Sequence, residues 1–167
     1  MLKIAKNAVV SPLADIEISK RDSVISIGAF SQVDSFVKIK AAGGNGNVTI
    51  GEYSYINSGC VLYIGNGITM GNNVLVAANC VFAPVNHRYK DPTRLIREQG
   101  FLPSKGGIVI EDDVWIGANV TILDGAYISK GCVIGAQSLV RERTEPYTIY
   151  AGNPLKEVGK RMIETAS

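Results

Sequence analysis

The chain has 167 residues, of which 46% are hydrophobic, so its length and composition suit a single domain over residues 1–167 with a sizeable core. Only 7% of the residues are aromatic while glycine occurs 18 times, which fits a slim molecule with many corners. The formal charge of +2 is too close to balance to indicate nucleic acid or a membrane surface as a partner.

Membrane-spanning and secretory segments are not indicated by the sequence. No apolar run approaches the roughly 18 residues needed to span a bilayer, and the N-terminus lacks the apolar segment of a signal peptide. We therefore expect a cytoplasmic protein without membrane insertion.

Large apolar residues, nearly all of them aliphatic, recur at every sixth position in six groups of three. In chain order the groups are Ile4, Val10 and Ile16; Ile27, Val33 and Ile39; Ile50, Ile56 and Leu62; Met70, Val76 and Phe82; Ile110, Ile116 and Ile122; and Ile128, Ile134 and Val140. An α-helix needs apolar residues three and four apart, and a half-buried strand needs them two apart. A period of six instead suits a chain that turns a corner after each short strand. The pattern predicts an all-β fold, a three-sided solenoid of about six coils.

A second inward position follows each aliphatic residue by four and holds a small or modest side chain. Over the last two coils these residues are Val114, Val120, Ala126, Cys132 and Ser138. The three cysteines of the chain, Cys60, Cys80 and Cys132, all fall in this position. We therefore expect buried, reduced core cysteines, with no cysteine nucleophile and no metal site.

The period of six is interrupted only between the third side of one coil and the first side of the next. The successive gaps there are 11, 11, 8, 28 and 6 residues, so every insertion leaves from the same edge of the prism. The inserted residues are 19–23, 43–47, 66–67 and a long excursion over 83–109. The short insertions are either tolerated surface loops or parts of one ridge. The excursion exceeds the roughly 12–15 residues beyond which loops in compact domains are usually functional or disordered.

After Val140 the period ends. An extended segment over 147–151 and a turn over 152–154 are predicted to follow. Helical spacing then appears among Leu155, Val158, Met162 and Ile163. Because Pro154 is tolerated in the first turn of a helix, the pattern predicts a short C-terminal helix over 154–166 that caps the solenoid.

Three segments, together with the repeat, resemble the left-handed β-helix (hexapeptide-repeat) acetyltransferases. They are DDVWIGANV at 112–120, IGAQSLV at 134–140 and YAGNP at 150–154. The resemblance is closest to the maltose, galactoside and polysaccharide O-acetyltransferases. It implies a left-handed parallel β-helix, a homotrimer, and acetyl-CoA bound in a cleft between neighbouring prisms. It also implies that the acceptor is a hydroxyl of a sugar or polysaccharide precursor, and hence a role in polysaccharide biosynthesis.

His87 is the only histidine of the chain and lies in the excursion, five residues after Phe82. By resemblance it matches the family's catalytic histidine, which reaches toward the adjacent subunit. The chemistry agrees, because acetyl transfer from a thioester to a hydroxyl needs a base that works near neutral pH. Asn86 either orients the acceptor or the histidine, or is an ordinary loop residue. By resemblance, a backbone N–H near Ala118 stabilises the oxyanion.

The resemblance also implies a set of residues that bind coenzyme A. They are Trp115, Ala118, Ala136, Arg141, Arg143 and Lys156. Ala118 and Ala136 offer backbone groups. Trp115 lies beside the thioester arm of the cofactor or packs between subunits. Lys156 meets the phosphates as a point charge.

The chain departs from the family pattern in two places. Residues 141–143 are Arg-Glu-Arg, where the family commonly has Thr-Lys-Asp, so the phosphate role of the lysine passes to Arg141 or Arg143 unless these are solvated corner residues. Gln137 replaces a glycine where the cofactor arm passes closely.

Four other functions share some of these features. A nucleotide-amino-sugar N-acetyltransferase would depend less on His87, because an unprotonated amine attacks readily. An antibiotic O-acetyltransferase would share the fold and the co-substrate. A γ-class carbonic anhydrase needs three histidines per zinc ion, whereas the chain has one. A non-catalytic solenoid scaffold is the alternative that is not an enzyme.

Overall fold

The computed structural model of the chain describes residues 1–162, which form three sheets joined along their edges. Each of six coils places one strand in each sheet. The strands in chain order are β1 (Leu2–Ile4), β2 (Val9–Val10), β3 (Asp15–Ile16), β4 (Ile25–Ile27), β5 (Gln32–Val33), β6 (Lys38–Lys40), β7 (Val48–Ile50), β8 (Tyr55–Ile56), β9 (Val61–Tyr63), β10 (Ile68–Met70), β11 (Leu75–Val76), β12 (Val81–Ala83), β13 (Ile108–Ile110), β14 (Trp115–Ile116), β15 (Thr121–Leu123), β16 (Tyr127–Ile128), β17 (Val133–Ile134), β18 (Leu139–Val140), β19 (Thr148–Ala151) and β20 (Lys156–Lys160).

The strand order within each sheet is that of a solenoid. Sheet 1 has the order β1-β4-β7-β10-β13-β16, and sheet 3 has the order β3-β6-β9-β12-β15-β18. Sheet 2 has the order β2-β5-β8-β11-β14-β17-β19-β20 and is longer because the end of the chain adds two strands to it. Every pairing is parallel except that of β19 with β20.

The predicted aliphatic residues are paired in register from coil to coil. Sheet 1 aligns Ile4, Ile27, Ile50, Met70, Ile110 and Ile128. Sheet 2 aligns Val10, Val33, Ile56, Val76, Ile116 and Ile134. Sheet 3 aligns Ile16, Ile39, Leu62, Phe82, Ile122 and Val140. These pairings confirm the six groups and the period of six.

The interior of the prism is filled by these residues from the second coil onward. Each predicted aliphatic residue from Ile27 to Val140 is at most 2% exposed. The first coil is less well covered, and Ile4 is 45% exposed because β1 is the terminal strand of its sheet. The three cysteines are buried with free thiols, as their position in the repeat predicted.

All insertions leave from the edge between sheet 3 and sheet 1, as the gap lengths predicted. They stack on one another along this edge. The N–H of Gly46 donates to the carbonyl of Gly65 (3.0 Å), and the N–H of Asn66 donates to the carbonyl of Pro84 (3.1 Å). These bonds join the insertions that follow β6, β9 and β12 into one ridge.

Gly107 closes this ridge where the long insertion rejoins the prism. Its φ is +76°, and a Cβ atom built there would lie 2.5 Å from the carbonyl oxygen of Gly67. Its own carbonyl accepts a hydrogen bond from the N–H of Gly125 (2.7 Å) in the next coil. Only glycine meets both conditions, because other residues disfavour this φ and need space for a side chain.

The prediction of a C-terminal helix over 154–166 is wrong within the described residues. The chain forms β19 beside β17, turns, and pairs β20 antiparallel to β19. The apolar residues share no buried face, since Val158 is 63% exposed and Met162 is 86% exposed. The free edge of β19 supplies hydrogen-bond partners to the segment, and Gly159 disfavours a helix. Residues 163–166 of the predicted helix lie outside the described residues.

Candidate functional site

The long insertion between β12 and β13 forms an arm, defined here as residues 84–107. Its two limbs pair as a short hairpin. The N–H of Arg88 donates to the carbonyl of Gly100 (2.9 Å), and the N–H of Leu102 donates to the carbonyl of Asn86 (2.8 Å). A single 3-10 turn, Ile96–Glu98, lies near the tip. The arm is therefore an ordered element that projects from the ridge.

Asp124 fastens the arm to the prism. Its side chain is 3% exposed, and its two carboxylate oxygens accept hydrogen bonds from the N–H groups of Lys105 (2.9 Å) and Gly107 (3.0 Å). The repeat pattern assigned Asp124 no role in holding the arm. An acidic residue before glycine, at the edge from which all insertions leave, is the signal that indicates this second role.

Replacement of Asp124 by alanine is expected to lower the free energy of unfolding by about 2–3 kcal/mol, because the N–H groups of Lys105 and Gly107 lose the acceptor that they have among residues 1–162. Denaturant unfolding at a fixed protein concentration measures this loss. Glu98→Ala is the matched control, since Glu98 is an exposed acid on the arm and its removal should change stability by less than about 0.5 kcal/mol. Equal stability of the two variants would contradict the anchoring role.

His87 lies at the base of the arm, where it pairs with Phe101 in an antiparallel bridge. The imidazole packs on the Phe101 ring with a centroid distance of 4.6 Å and an interplanar angle of 39°. The residue is exposed, and neither ring nitrogen forms a hydrogen bond within residues 1–162. The ring is thus held by packing while both nitrogens are available to a ligand.

An open cavity of about 580 Å³ separates the arm from the prism. It is lined by Asn86, His87, Tyr89, Ile96, Leu102, Lys105, Leu123, Asp124 and Arg141. Three of the predicted site residues, Asn86, His87 and Arg141, are thereby brought together. In the described part of the chain the amide side chain of Asn86 makes no hydrogen bond to His87, so Asn86 is free to contact a ligand.

The corner between sheet 2 and sheet 3 carries a second set of predicted residues. Ala118 and Ala136 occupy equivalent corners of adjacent coils, and the carbonyl of Ala118 accepts a hydrogen bond from the N–H of Gln137 (2.9 Å). The N–H groups of Ala118 and Ala136 donate to no other group among residues 1–162. A Cβ atom on Gly117 would lie 2.6 Å from the nitrogen of Ala136, so glycine allows the two corners to stack.

Comparison with known proteins decides the family. A family model described as bacterial transferase hexapeptide (six repeats) matches residues 107–142. The galactoside O-acetyltransferase of Escherichia coli strain K12 is 30% identical over 147 residues, which cover 85% of this chain and 69% of that protein. The chain belongs to the hexapeptide-repeat acetyltransferase family. The left-handed parallel β-helix that the resemblance implied is confirmed.

Two further similar proteins carry names that point to different chemistry. A probable macrolide acetyltransferase of Lysinibacillus sphaericus is 55% identical over 63 residues, which cover 38% of this chain and 35% of that protein. AntD, an N-acyltransferase from Bacillus cereus crystallised with dTDP and 3-hydroxybutyryl-CoA, is 26% identical with a TM-score of 0.79, and the match covers 96% of this chain and 83% of AntD. Across the first curated relatives, the chain spans only 31% to 54% of their length.

Trp115 lies on the outer face of sheet 2 of this hexapeptide-repeat prism, away from the cavity that contains His87. It is 54% exposed and lines a separate groove with Leu75, Val133 and Arg161. Arg161 is fixed there by an ion pair with Asp113 (2.8 Å). The predicted cofactor tryptophan and the predicted base are therefore not neighbours within one chain.

The basic residues predicted to bind phosphates are dispersed over the molecule. Lys156 is exposed at the start of β20 and pairs with Ala151. The preceding turn is held near the corner of Ala136 by a hydrogen bond from the N–H of Gly152 to the hydroxyl of Ser138 (2.9 Å). Lys156 thus belongs to the region of Ala136, whereas Arg141 belongs to the cavity of His87.

Arg143 belongs to neither group. Its guanidinium lies 3.9 Å from the centroid of the Tyr127 ring in sheet 1, where the two residues also form a parallel bridge. The Tyr127 hydroxyl donates to the carboxylate of Glu111. This hydrogen bond, with a second from the N–H of Lys130, holds the pKa of Glu111 below its usual value. Arg143 is therefore engaged in a local cluster on the face of sheet 1.

Residues 1–162 contain no helix with the length and apolar character needed to cross a membrane. They also contain no group of three histidine, cysteine or acidic side chains arranged to hold a metal ion.

Proposed function

We propose that the chain is an acetyl-CoA-dependent acetyltransferase that transfers an acetyl group to a hydroxyl of a sugar or polysaccharide precursor. The observation that carries the proposal is the position of His87. This exposed histidine has both ring nitrogens free among the described residues, and it faces an open cavity beside Asn86 and Arg141. Imidazole is suited to remove a hydroxyl proton near neutral pH.

The chemistry requires a base at the acceptor and a hydrogen-bond donor at the acetyl carbonyl. Acetyl-CoA supplies the acetyl group as a thioester. His87 removes the proton of the acceptor hydroxyl as the hydroxyl oxygen bonds to the acetyl carbon, and the N–H of Ala118 stabilises the negative charge on the carbonyl oxygen. When the carbon–sulfur bond breaks, the protonated His87 returns its proton to the sulfur.

The stacked corners fit the narrow arm of coenzyme A. Ala118 and Ala136 present two free N–H donors along one line, and Gly117 leaves no side chain between them. Lys156, beside this line, binds the phosphates as a point charge, while Trp115 covers the thioester end from the neighbouring face. In this proposal Arg141 serves the acceptor side, and Arg143 contributes by supporting the last coil.

A homotrimer would bring the residues beside His87 close to the residues beside Ala118. Within one chain His87 lies on the edge between sheets 3 and 1, and Ala118 lies on the edge between sheets 2 and 3. Sheet 2 also exposes apolar side chains, since Val9 is 57% exposed and Leu75 is 51% exposed. A subunit interface would bury such surface and would bring the arm of one prism against the corner of the next.

A thiol-release assay with acetyl-CoA tests the proposed function. The acceptors are neutral sugars, amino sugars and antibiotic alcohols, each tested at the same concentration. Release of coenzyme A with a sugar that accepts the acetyl group on a hydroxyl is the expected result. No release with any acceptor, together with no binding of acetyl-CoA by calorimetry, would favour the scaffold alternative and contradict the proposal.

The second candidate is acetylation of a nucleotide-linked amino sugar. It is favoured by the similarity to AntD, whose crystals contain dTDP and an acyl-CoA. The two candidates differ in their dependence on His87, because an unprotonated amine attacks a thioester with little help from a base. Activity on the amino-sugar panel that survives His87→Ala would identify the second candidate.

A further inference from the structure

The net positive charge of the chain lies in the arm. Residues 84–107 contain five lysine or arginine residues and two acidic residues, whereas the other 143 residues contain twelve and thirteen, respectively. The arm is therefore a cationic element on a prism that is otherwise slightly acidic. Such a field attracts anionic ligands to the side of the prism where His87 lies.

A second open cavity, of about 570 Å³, lies within the arm itself. Its lining consists of Arg88, Tyr89, Lys90, Asp91, Arg94, Gln99 and Leu102. Arg97 is on the same arm but is absent from this lining and from that of the cavity beside His87. The cationic side chains of the arm are thus divided into a set that lines the cavity and others that do not.

The two arginines of the cavity are fixed in place. The Nε of Arg88 donates to the carbonyl of Phe101 (2.8 Å), and a terminal nitrogen of Arg94 donates to the carbonyl of Glu98 (2.8 Å). The side-chain amide of Gln99 donates hydrogen bonds to the backbone carbonyl of Asp91 (2.9 Å) and to that of Arg94 (3.1 Å), which holds the loop in place. Each guanidinium keeps further N–H donors, which are preorganised for a ligand.

These cations have no acidic partner in the described part of the chain. None of Arg88, Lys90 and Arg94 forms an ion pair there. Asp91 is the one acid in the lining, and its carboxylate accepts hydrogen bonds from the N–H (2.9 Å) and hydroxyl (2.6 Å) of Thr93 instead. The lining therefore carries three positive charges and one negative charge, and a bound anion would neutralise the excess positive charge.

The arm cavity adjoins the cavity beside His87. Tyr89 and Leu102 line both. A ligand could therefore place an anionic group among the cations of the arm while its hydroxyl group lies at the imidazole. The tyrosine ring would provide an apolar wall between the two ends of the ligand.

We propose that the acceptor is a phosphate-bearing sugar derivative, whose phosphate or diphosphate is bound by Arg88, Lys90 and Arg94 of the arm. This inference rests on the proposed function, because it specifies the chemical class of the acceptor for that same site. Arginine pairs bidentately with phosphate oxygens, and lysine adds a point charge. A neutral sugar would leave these cations without a partner and would be the poorer acceptor.

Calorimetric titration with inorganic pyrophosphate tests the arm site without relying on acetyl transfer. The full chain should bind pyrophosphate, and Arg94→Ala and Lys90→Ala should each weaken binding by about tenfold, the loss of one charge-assisted contact. Arg97→Ala is the matched control, since it removes the same charge from the same arm, and it should change the Kd by less than about twofold. Thermal melts should be unaltered, because these residues are exposed.

Titration with acetyl-CoA separates the acceptor phosphate from the phosphates of coenzyme A. The proposal expects the same Kd for acetyl-CoA in the wild-type chain and in all three variants. A loss of acetyl-CoA affinity in Arg94→Ala and Lys90→Ala would overturn the proposal by assigning the cavity to the co-substrate. Equal weakening of pyrophosphate binding by Arg97→Ala would also overturn it, because diffuse charge would then suffice.

The acceptor assay completes the test. A sugar 1-phosphate and a nucleoside diphosphate sugar should both have a lower KM than the methyl glycoside of the same sugar, and Arg94→Ala should remove that advantage. An active enzyme that binds no pyrophosphate would contradict the arm site alone. A chain that binds pyrophosphate in the arm and transfers no acetyl group would contradict the proposed function instead.

Discussion

Replacement of His87 by alanine is expected to lower kcat/KM for a hydroxyl acceptor by about 10²- to 10⁴-fold, the usual contribution of a general base. An alcohol is a weak nucleophile until its proton is removed, and no other side chain near the cavity suits that task. Lys105 and Arg141 are cationic there, and Asp124 is engaged by two backbone N–H groups.

The effect of His87→Ala should fall on catalysis and leave the fold intact. His87 is exposed and its ring packs on that of Phe101, so the thermal midpoint should change little. Phe101→Ala is the matched control, because it removes the supporting ring and keeps the imidazole, and it should cost no more than about tenfold. Thiol release at wild-type rates by His87→Ala with a hydroxyl acceptor would contradict the role of the base.

Replacement of Ala118 by proline is expected to lower kcat by about 10²- to 10³-fold, because it removes the N–H proposed to stabilise the oxyanion. Residues 118 and 119 form a turn. Asn119 has a φ of +58°, as in the second central position of a type II turn, and proline is favoured in the first. The loss of kcat should therefore result from the missing N–H donor and not from a change in the conformation of the turn.

A second substitution at the same corner controls for the shape of the side chain. Ala118→Ser keeps the backbone N–H and adds a hydroxyl of modest size, so its kcat should stay within a few-fold of the wild-type value. Steady-state kinetics with acetyl-CoA compare the two variants. Equal activity of the proline and serine variants would show that this N–H is not the oxyanion donor.

Most of the fold could be predicted because the spacing of large and small side chains along the sequence follows the sides and corners of the prism. One large residue per side, as in Ile110, Ile116 and Ile122, gives the strand spacing directly. The gaps between groups then give the edge that carries the insertions. Cys132 and Ser138 illustrate the second inward position, which holds small or modest side chains.

The errors and omissions lie where contacts between distant segments decide the structure. Helical spacing from Leu155 to Met162 was outweighed by the free edge of β19, which a local pattern does not reveal. Asp124 contacts backbone groups 17 and 19 residues earlier, so its role as an anchor has no local signature beyond the glycine that follows it. The arm hairpin likewise depends on the pairing of His87 with Phe101.

The individual residues of the candidate site could be predicted, but their arrangement in space could not. The sequence indicated His87, Asn86 and Arg141 without showing that they line one cavity. It also indicated Ala118 and Trp115 without showing that they lie on another edge and another face of the same prism. Tyr89, Leu102 and the other residues of the arm that line the cavities carry no repeat pattern, and only the folded arm reveals them.

We propose that one acetyl-transfer site combines His87 of one subunit with Ala118 of the next. Co-expression of the His87→Ala and Ala118→Pro chains, each nearly inactive alone, tests it directly. Random assembly in equal amounts should restore about a quarter of the wild-type thiol-release activity, because about one interface in four joins an intact arm to an intact corner. Activity no higher than the mean of the two separate variants would contradict the claim.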